Sequence, residues 1–124
     1  MKINAVIEKC PGKGYSVYIE NEGIPFGIIG EGSTIEQAKD DFMKGLNLAQ
    51  EEYGVECTVS FYLDVASILA YYSNIVSLKG LNNITGISEP VLKQYISGLK
   101  KPTRATCDRI KTSLHTFGSE LASV

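Results

Sequence analysis

The side chains with the most directed chemistry stand close together in the last third of the chain. Lys93 and Gln94 are adjacent, Glu89 and Pro90 precede them by about one helical turn, and Ser97 follows by about another. If Leu92, Tyr95 and Ile96 face a core, these five side chains share the outer surface of a helix that Ser88 opens. A glutamine amide sets a donor beside an acceptor and bonds adenine bidentately, while lysine reaches guanine or a phosphate. Glu89 suits a cytosine amino group or, equally, the positive end of its own helix. Lys100, Lys101, Thr103 and Arg104 come next, and side chains of these types grip phosphate without reading sequence. Ser88, Glu89, Pro90, Lys93, Gln94, Ser97, Lys100, Lys101, Thr103 and Arg104 are therefore the candidate contacts to double-stranded DNA. The other reading of this half is a helical bundle used for protein contacts alone.

No comparable grouping serves catalysis. Metal-assisted cleavage needs clustered carboxylates, but Glu8 lies on a strand pattern, Glu20 and Glu22 at a turn, and Asp40 and Asp41 on an outward helix face. The one histidine, His115, lies near the end of the chain, and there is no Gly-x-Ser-x-Gly elbow. Cys10, Cys57 and Cys107 are odd in number and widely spaced, which suits buried thiols rather than a disulfide framework or a metal site. The expectation is a protein with no catalytic residues, no cofactor and no metal.

The elements that must position the basic residues are legible from periodicity. Ser77 opens a short helix through Leu78, Leu81 and Ile84, Gly86-Ile87 turns, and Ser88 opens the next, where Pro90 is tolerated in the first turn. Gly98 and Pro102 bracket the basic loop. Thr103 opens a last helix with Cys107, Ile110, Leu114 and Phe117 inward and Gly118 as its stop. A helix from Val65 to Tyr72 precedes them, with Asp64 before it. Upstream the period is that of strands: Ile3, Ala5 and Ile7, then Tyr15, Val17 and Ile19, then a shorter run Phe26-Gly27-Ile28-Ile29. Thr34 and Gln37 form a capping box, and Ile35, Ala38, Phe42, Leu46, Ala49 and Tyr53 line one helix face. Lys39, Asp40, Lys44, Gln50 and Glu51 fall opposite, Gly54 ends the helix, and Val55 to Leu63 alternate as a fourth strand.

The fold class expected is α+β: a βββαβ module over residues 1–63, then an all-α domain over residues 64–124. Charge divides near the same place. Residues 1–60 hold five lysines against ten carboxylates, a net −5, and residues 61–124 hold seven basic against four acidic side chains, a net +3. One half would repel nucleic acid and the other is able to meet it. Met1-Lys2-Ile3-Asn4-Ala5 leads into no long apolar core or cleavage site, and no run approaches a membrane span of about 18 residues, so a cytoplasmic protein is expected.

Two resemblances sharpen these expectations. Residues 77–114 resemble the phage Cro and Xre repressor type of helix-turn-helix. Leu81, Thr85, Gly86, Ile87, Ser88, Leu92, Tyr95, Gly98, Lys100, Lys101, Pro102, Ile110 and Leu114 match that pattern, while Asn82 departs from the small residue usual there. The strand order together with Gly32, Thr34, Glu36 and Ala38 resembles HicB antitoxins, with Gln37 in place of a second acid and without the Pro-Gly-Cys that usually precedes the motif. That resemblance implies a truncated RNase H-like fold in the first half. It also implies a small basic HicA-like ribonuclease toxin as partner and repression of the protein's own operon through the second half. The acidic first half suits a basic partner. Proteins of this type commonly bind two half-sites as a homodimer, and Phe117, Leu121 and Val124 are the candidate dimer surface or, alternatively, close the core. The alternative function is a stand-alone regulator whose first half senses a small molecule or docks another protein.

Overall fold

The computed structural model describes residues 1–124, and the chain divides into two compact units, Met1–Asp64 and Val65–Val124. The first is α+β. Strands β1 (Lys2–Lys9), β2 (Tyr15–Ile19) and β3 (Ile29–Gly32) precede helix α1 (Ile35–Tyr53) and strand β4 (Thr58–Leu63). The sheet order is β3-β2-β1-β4. β1 pairs antiparallel with β2 across the short loop 10–14, β2 pairs antiparallel with β3 across the longer loop 20–28 where tight turns were expected, and β4 returns to pair parallel with β1.

Alternation assigns the two sheet faces. Ile3, Ala5 and Ile7 of β1 and Val17 of β2 pack with Ala38, Phe42 and Leu46 of α1 as one buried cluster. Each fully buried large side chain contributes roughly 1.5–3 kcal/mol, so this cluster holds α1 on the sheet. Thr34 caps the helix by accepting from the Gln37 N–H, and Gln37 Oε1 accepts from the Ser33 N–H. Gly54 ends it at φ 64°, a left-handed conformation suited to glycine.

Several local expectations need correction. The third strand is Ile29–Gly32, not Phe26–Ile29. The reason is close approach: a Cβ on Gly30 would lie 2.5 Å from the Ala38 carbonyl oxygen, and one on Gly32 2.5 Å from the Ala38 nitrogen. Glycines that look like turn signals are the strand residues that let α1 sit against β3. The fourth strand starts at Thr58, because Gln50 reaches from α1 and its Oε1 accepts from the Cys57 N–H at 2.8 Å. Gln50 is thus a tether and not a solvent-face residue. Lys39 likewise is half-buried, with Nζ 4.9 Å from the centre of the Phe61 ring. Tyr53 is exposed at the helix end but stacks on Phe26 at 5.2 Å. All three cysteines are partly exposed instead of buried.

The second unit is all-helical: α2 (Val65–Tyr72), α3 (Leu78–Thr85), α4 (Glu89–Ser97) and α5 (Arg104–Ala122). Leu69, Leu81, Leu92 and Ile110, one from each helix, are fully buried. α5 does not stop at Gly118. It continues to Ala122, with no positive φ at Gly118, since an interior glycine costs only about 1 kcal/mol. No helix is long and apolar enough to cross a membrane.

Candidate nucleic-acid interface

Helices α3 and α4 are joined by Gly86, Ile87 and Ser88. Four local interactions hold this connection. Gly86 takes φ 72° and returns its N–H to the Asn82 carbonyl at 2.7 Å. Thr85 Oγ1 donates to the Leu81 carbonyl and accepts from the Ile87 N–H, which satisfies its hydroxyl although it is buried. Asn82 Nδ2 donates to the Ile87 carbonyl at 2.7 Å. Ile87 itself is buried and anchors the turn. Asn82, the departure from the small residue usual at its position, is therefore a brace across the turn.

α4 presents its outer face as its apolar spacing requires. Leu92 and Tyr95 are buried, Ile96 is half-buried, and Glu89, Pro90, Lys93 and Ser97 are exposed. Gln94 is half-buried. Ser88 occupies the N-cap position, but its side chain makes no capping bond. Pro90 in the first turn has no N–H to offer, which removes one of the donors a cap would serve. The Ser88 hydroxyl, exposed at the positive end of α4, remains available to an external oxygen. Ser97 has a local duty: its hydroxyl donates to the Gln94 carbonyl at 3.2 Å and accepts from the Leu99 N–H at 3.4 Å.

The loop after α4 is held from within. Gly98 closes the helix at φ 78°, and the Lys100 N–H returns to the Gln94 carbonyl. Lys100 and Lys101 are exposed, and Thr103 caps α5 by accepting from the Thr106 N–H. Thr103 thus spends its hydroxyl on the helix. Arg104 follows in the first turn of α5, exposed. Lys93, Lys100, Lys101 and Arg104 form no ion pair within the chain. Along residues 88–104 these four cations face a single carboxylate, Glu89. Spacing had not singled out Arg109. A Cβ on Gly86 would fall 2.7 Å from its Nη2, so its cation lies against the C-terminal end of α3, where helix carbonyls carry partial negative charge. No periodicity on α5 separates Arg109 from a solvated arginine.

No family model, curated protein or solved structure matches the chain. A helix face with an exposed amine and carboxylate and a half-buried amide, followed by a loop of unpaired cations, can hydrogen-bond base edges and neutralise phosphate at once.

Proposed function

We propose that the chain is a DNA-binding repressor and antitoxin of the HicB kind. In this reading α3 and α4 form a helix-turn-helix and α4 enters the major groove of operator DNA. Glu89, Lys93 and Gln94 meet base edges, and Ser88, Lys100, Lys101 and Arg104 hold the backbone. The acidic first unit, with a truncated RNase H-like fold, masks a small basic HicA-like RNA-cleaving toxin. The observation that carries the reading is the braced turn between α3 and α4, with an outward polar face on the second helix and a cationic loop behind it. A bundle evolved for protein contacts alone has no need of unpaired cations concentrated in one loop. Pro90 and Ser97 shape the start and the exit of α4 rather than reading bases.

One copy makes few backbone contacts, so the reading includes a homodimer on two half-sites. The exposed C-terminal stretch of α5 supplies an apolar surface for it, with Leu121 exposed and Phe117 half-buried.

Fluorescence anisotropy against DNA from upstream of the protein's own gene tests the nucleic-acid half. Lys93→Ala with Gln94→Ala should cost about 1–3 kcal/mol per lost base contact and leave the fold intact. If Lys100, Lys101 and Arg104 each neutralise one phosphate in both protomers, log affinity should fall against log salt with a slope of about −5. Unchanged affinity of the double variant for that DNA would reject α4 as the reading helix. Toxin neutralisation is tested separately, by co-expression with a HicA-like toxin. Growth arrest that this chain does not relieve would reject the antitoxin half.

A further inference from the structure

The sheet of the first unit has two faces, and only one carries a helix. Residues of β1 with odd numbers face α1, so those with even numbers face the other way. The registers Val6↔Tyr18, Val6↔Tyr62 and Tyr18↔Ile29 place Ile29, Tyr18, Val6 and Tyr62 in one row across all four strands. Its two ends are open, Ile29 at 68% and Tyr62 at 47% exposed, while Tyr18 is half-buried and Val6 is buried beneath its neighbours. On one side of the row, Glu8 and Glu31 both pair with Ser16, and Asp64 continues β4 by donating its N–H to the Ile7 carbonyl. On the other side Glu20 stands opposite Asn4. Burial of the Tyr18 ring, and then the nearby charges of Glu8, Asp64 and Glu20, raise the pKa of its phenol. Lys2, at the far end of β1, is the one cation on this face.

We propose that this open face docks a basic amphipathic helix of a partner protein, an inference that rests on the reading of the first unit as the mask of a basic protein. Dimensions define the occupant. Strands lie about 4.8 Å apart, so the apolar row is about 14 Å long, and the acidic row two residues away lies about 7 Å to its side. A helix laid across the strands covers 14 Å with about ten residues, roughly three turns. Its apolar stripe rests on Ile29, Tyr18, Val6 and Tyr62, and basic side chains one position round the helix fall over Glu8, Glu31 and Asp64. This places the same kind of layer on the open face that α1 makes on the other. Carboxylates around the apolar strip repel acidic or nucleic-acid ligands and select a cationic one.

The probe is a synthetic fourteen-residue helical peptide with a leucine stripe flanked by arginines, titrated into the ¹⁵N-labelled full-length chain. Backbone amide shifts should centre on Val6, Tyr18 and Tyr62. Glu8→Gln with Glu31→Gln, two substitutions on the sheet surface, should weaken binding about tenfold. Glu51→Gln with Glu52→Gln on α1, which removes the same charge elsewhere, should leave it within about twofold. The dispersed amide spectrum of each variant reports that it is folded. No binding, shifts centred on α1 or on the outer edge of β4, or equal weakening by both pairs would overturn the docking face. The synthetic probe keeps this result separate from the antitoxin reading. A captured toxin that protects α1 would reject the face and leave that reading standing, and failure to find a toxin leaves the peptide result intact.

Discussion

Helices α1 and α5 have the same length, 19 residues, but they are buried very differently. α1 buries Ala38, Phe42, Leu46 and Ala49 along its length, while α5 buries Ile110 alone. Both carry an apolar stripe. On α5 it runs through Cys107, Ile110, Leu114, Phe117 and Leu121 at alternating steps of three and four, the spacing of a coiled-coil seam. Its first half lies among the other helices, and its second half ends with Leu121 57% exposed. Helices in proteins draw most of their stability from a packed apolar face. A stripe that continues past its own core is thus a surface to be covered. The first unit shows the same economy on its sheet, where one face is finished and the other is left with an apolar row framed by acids. Each unit completes a core of its own and leaves one apolar strip partly exposed.

The largest effect should come from the finished side. Phe42 is fully buried between α1 and the sheet and meets Phe61 edge-on at 6.0 Å. Phe42→Ala should destabilise the first unit by about 3–5 kcal/mol, read by chemical denaturation. A loss under about 1 kcal/mol would mean that α1 is not held by this cluster, and the contrast with α5 would fail.

The unfinished side of α5 should respond in assembly rather than in folding. Phe117→Glu with Leu121→Glu should convert a dimer to monomers in sedimentation and weaken operator binding about a hundredfold, the avidity of a second half-site. The monomer's melting should change little, because Leu121 is exposed and Phe117 only half-buried. Full dimerisation of that variant would send the α5 stripe back to being a closing edge of its own core. Within the second unit, Asn82→Ala should cost about 1–2 kcal/mol by leaving the Ile87 carbonyl without its donor. Operator binding should weaken with it as the turn loosens.

These contrasts also explain what could be read from the chain alone. Period and caps reported the elements faithfully wherever one residue type has one use. Thr34 and Gln37 cap α1, Gly86 and Gly98 end α3 and α4 at positive φ, and the Leu92 spacing turns Lys93 outward. Residues with two uses misled. Gly30 and Gly32 are strand residues kept small for the approach of α1, and Gly118 is an ordinary interior residue of α5. Ser88 stands at a cap position without making a capping bond, although the Val91 N–H is there to be capped. Asn82, Gln50 and Arg109 act through partners five, seven and twenty-three positions away, and no local pattern announces a side chain's distant partner. The row of Ile29, Tyr18, Val6 and Tyr62 was hidden for the same reason, since strand register and not spacing along the chain brings it together.

The smallest effect concerns Tyr18 on the unfinished sheet face. Burial, then the charges of Glu8, Asp64 and Glu20, raise its pKa above the ordinary 10.0. In the unfolded chain the phenol has no such neighbours and ionises near its ordinary value. Above that value the unfolded state has released a proton that the folded state still holds, so stability falls as pH rises toward the folded pKa. Below it the two states hold the same proton and the stability is fully present. Denaturation at pH about 9 and about 11 should show a steeper loss for the natural chain than for Tyr18→Phe, which has no proton to release. Other tyrosines and the lysines contribute equally to both proteins and cancel in the difference. Equal slopes would mean that the phenol is solvated like any surface tyrosine. The apolar row would then already be wet, and a partner helix would gain less by covering it.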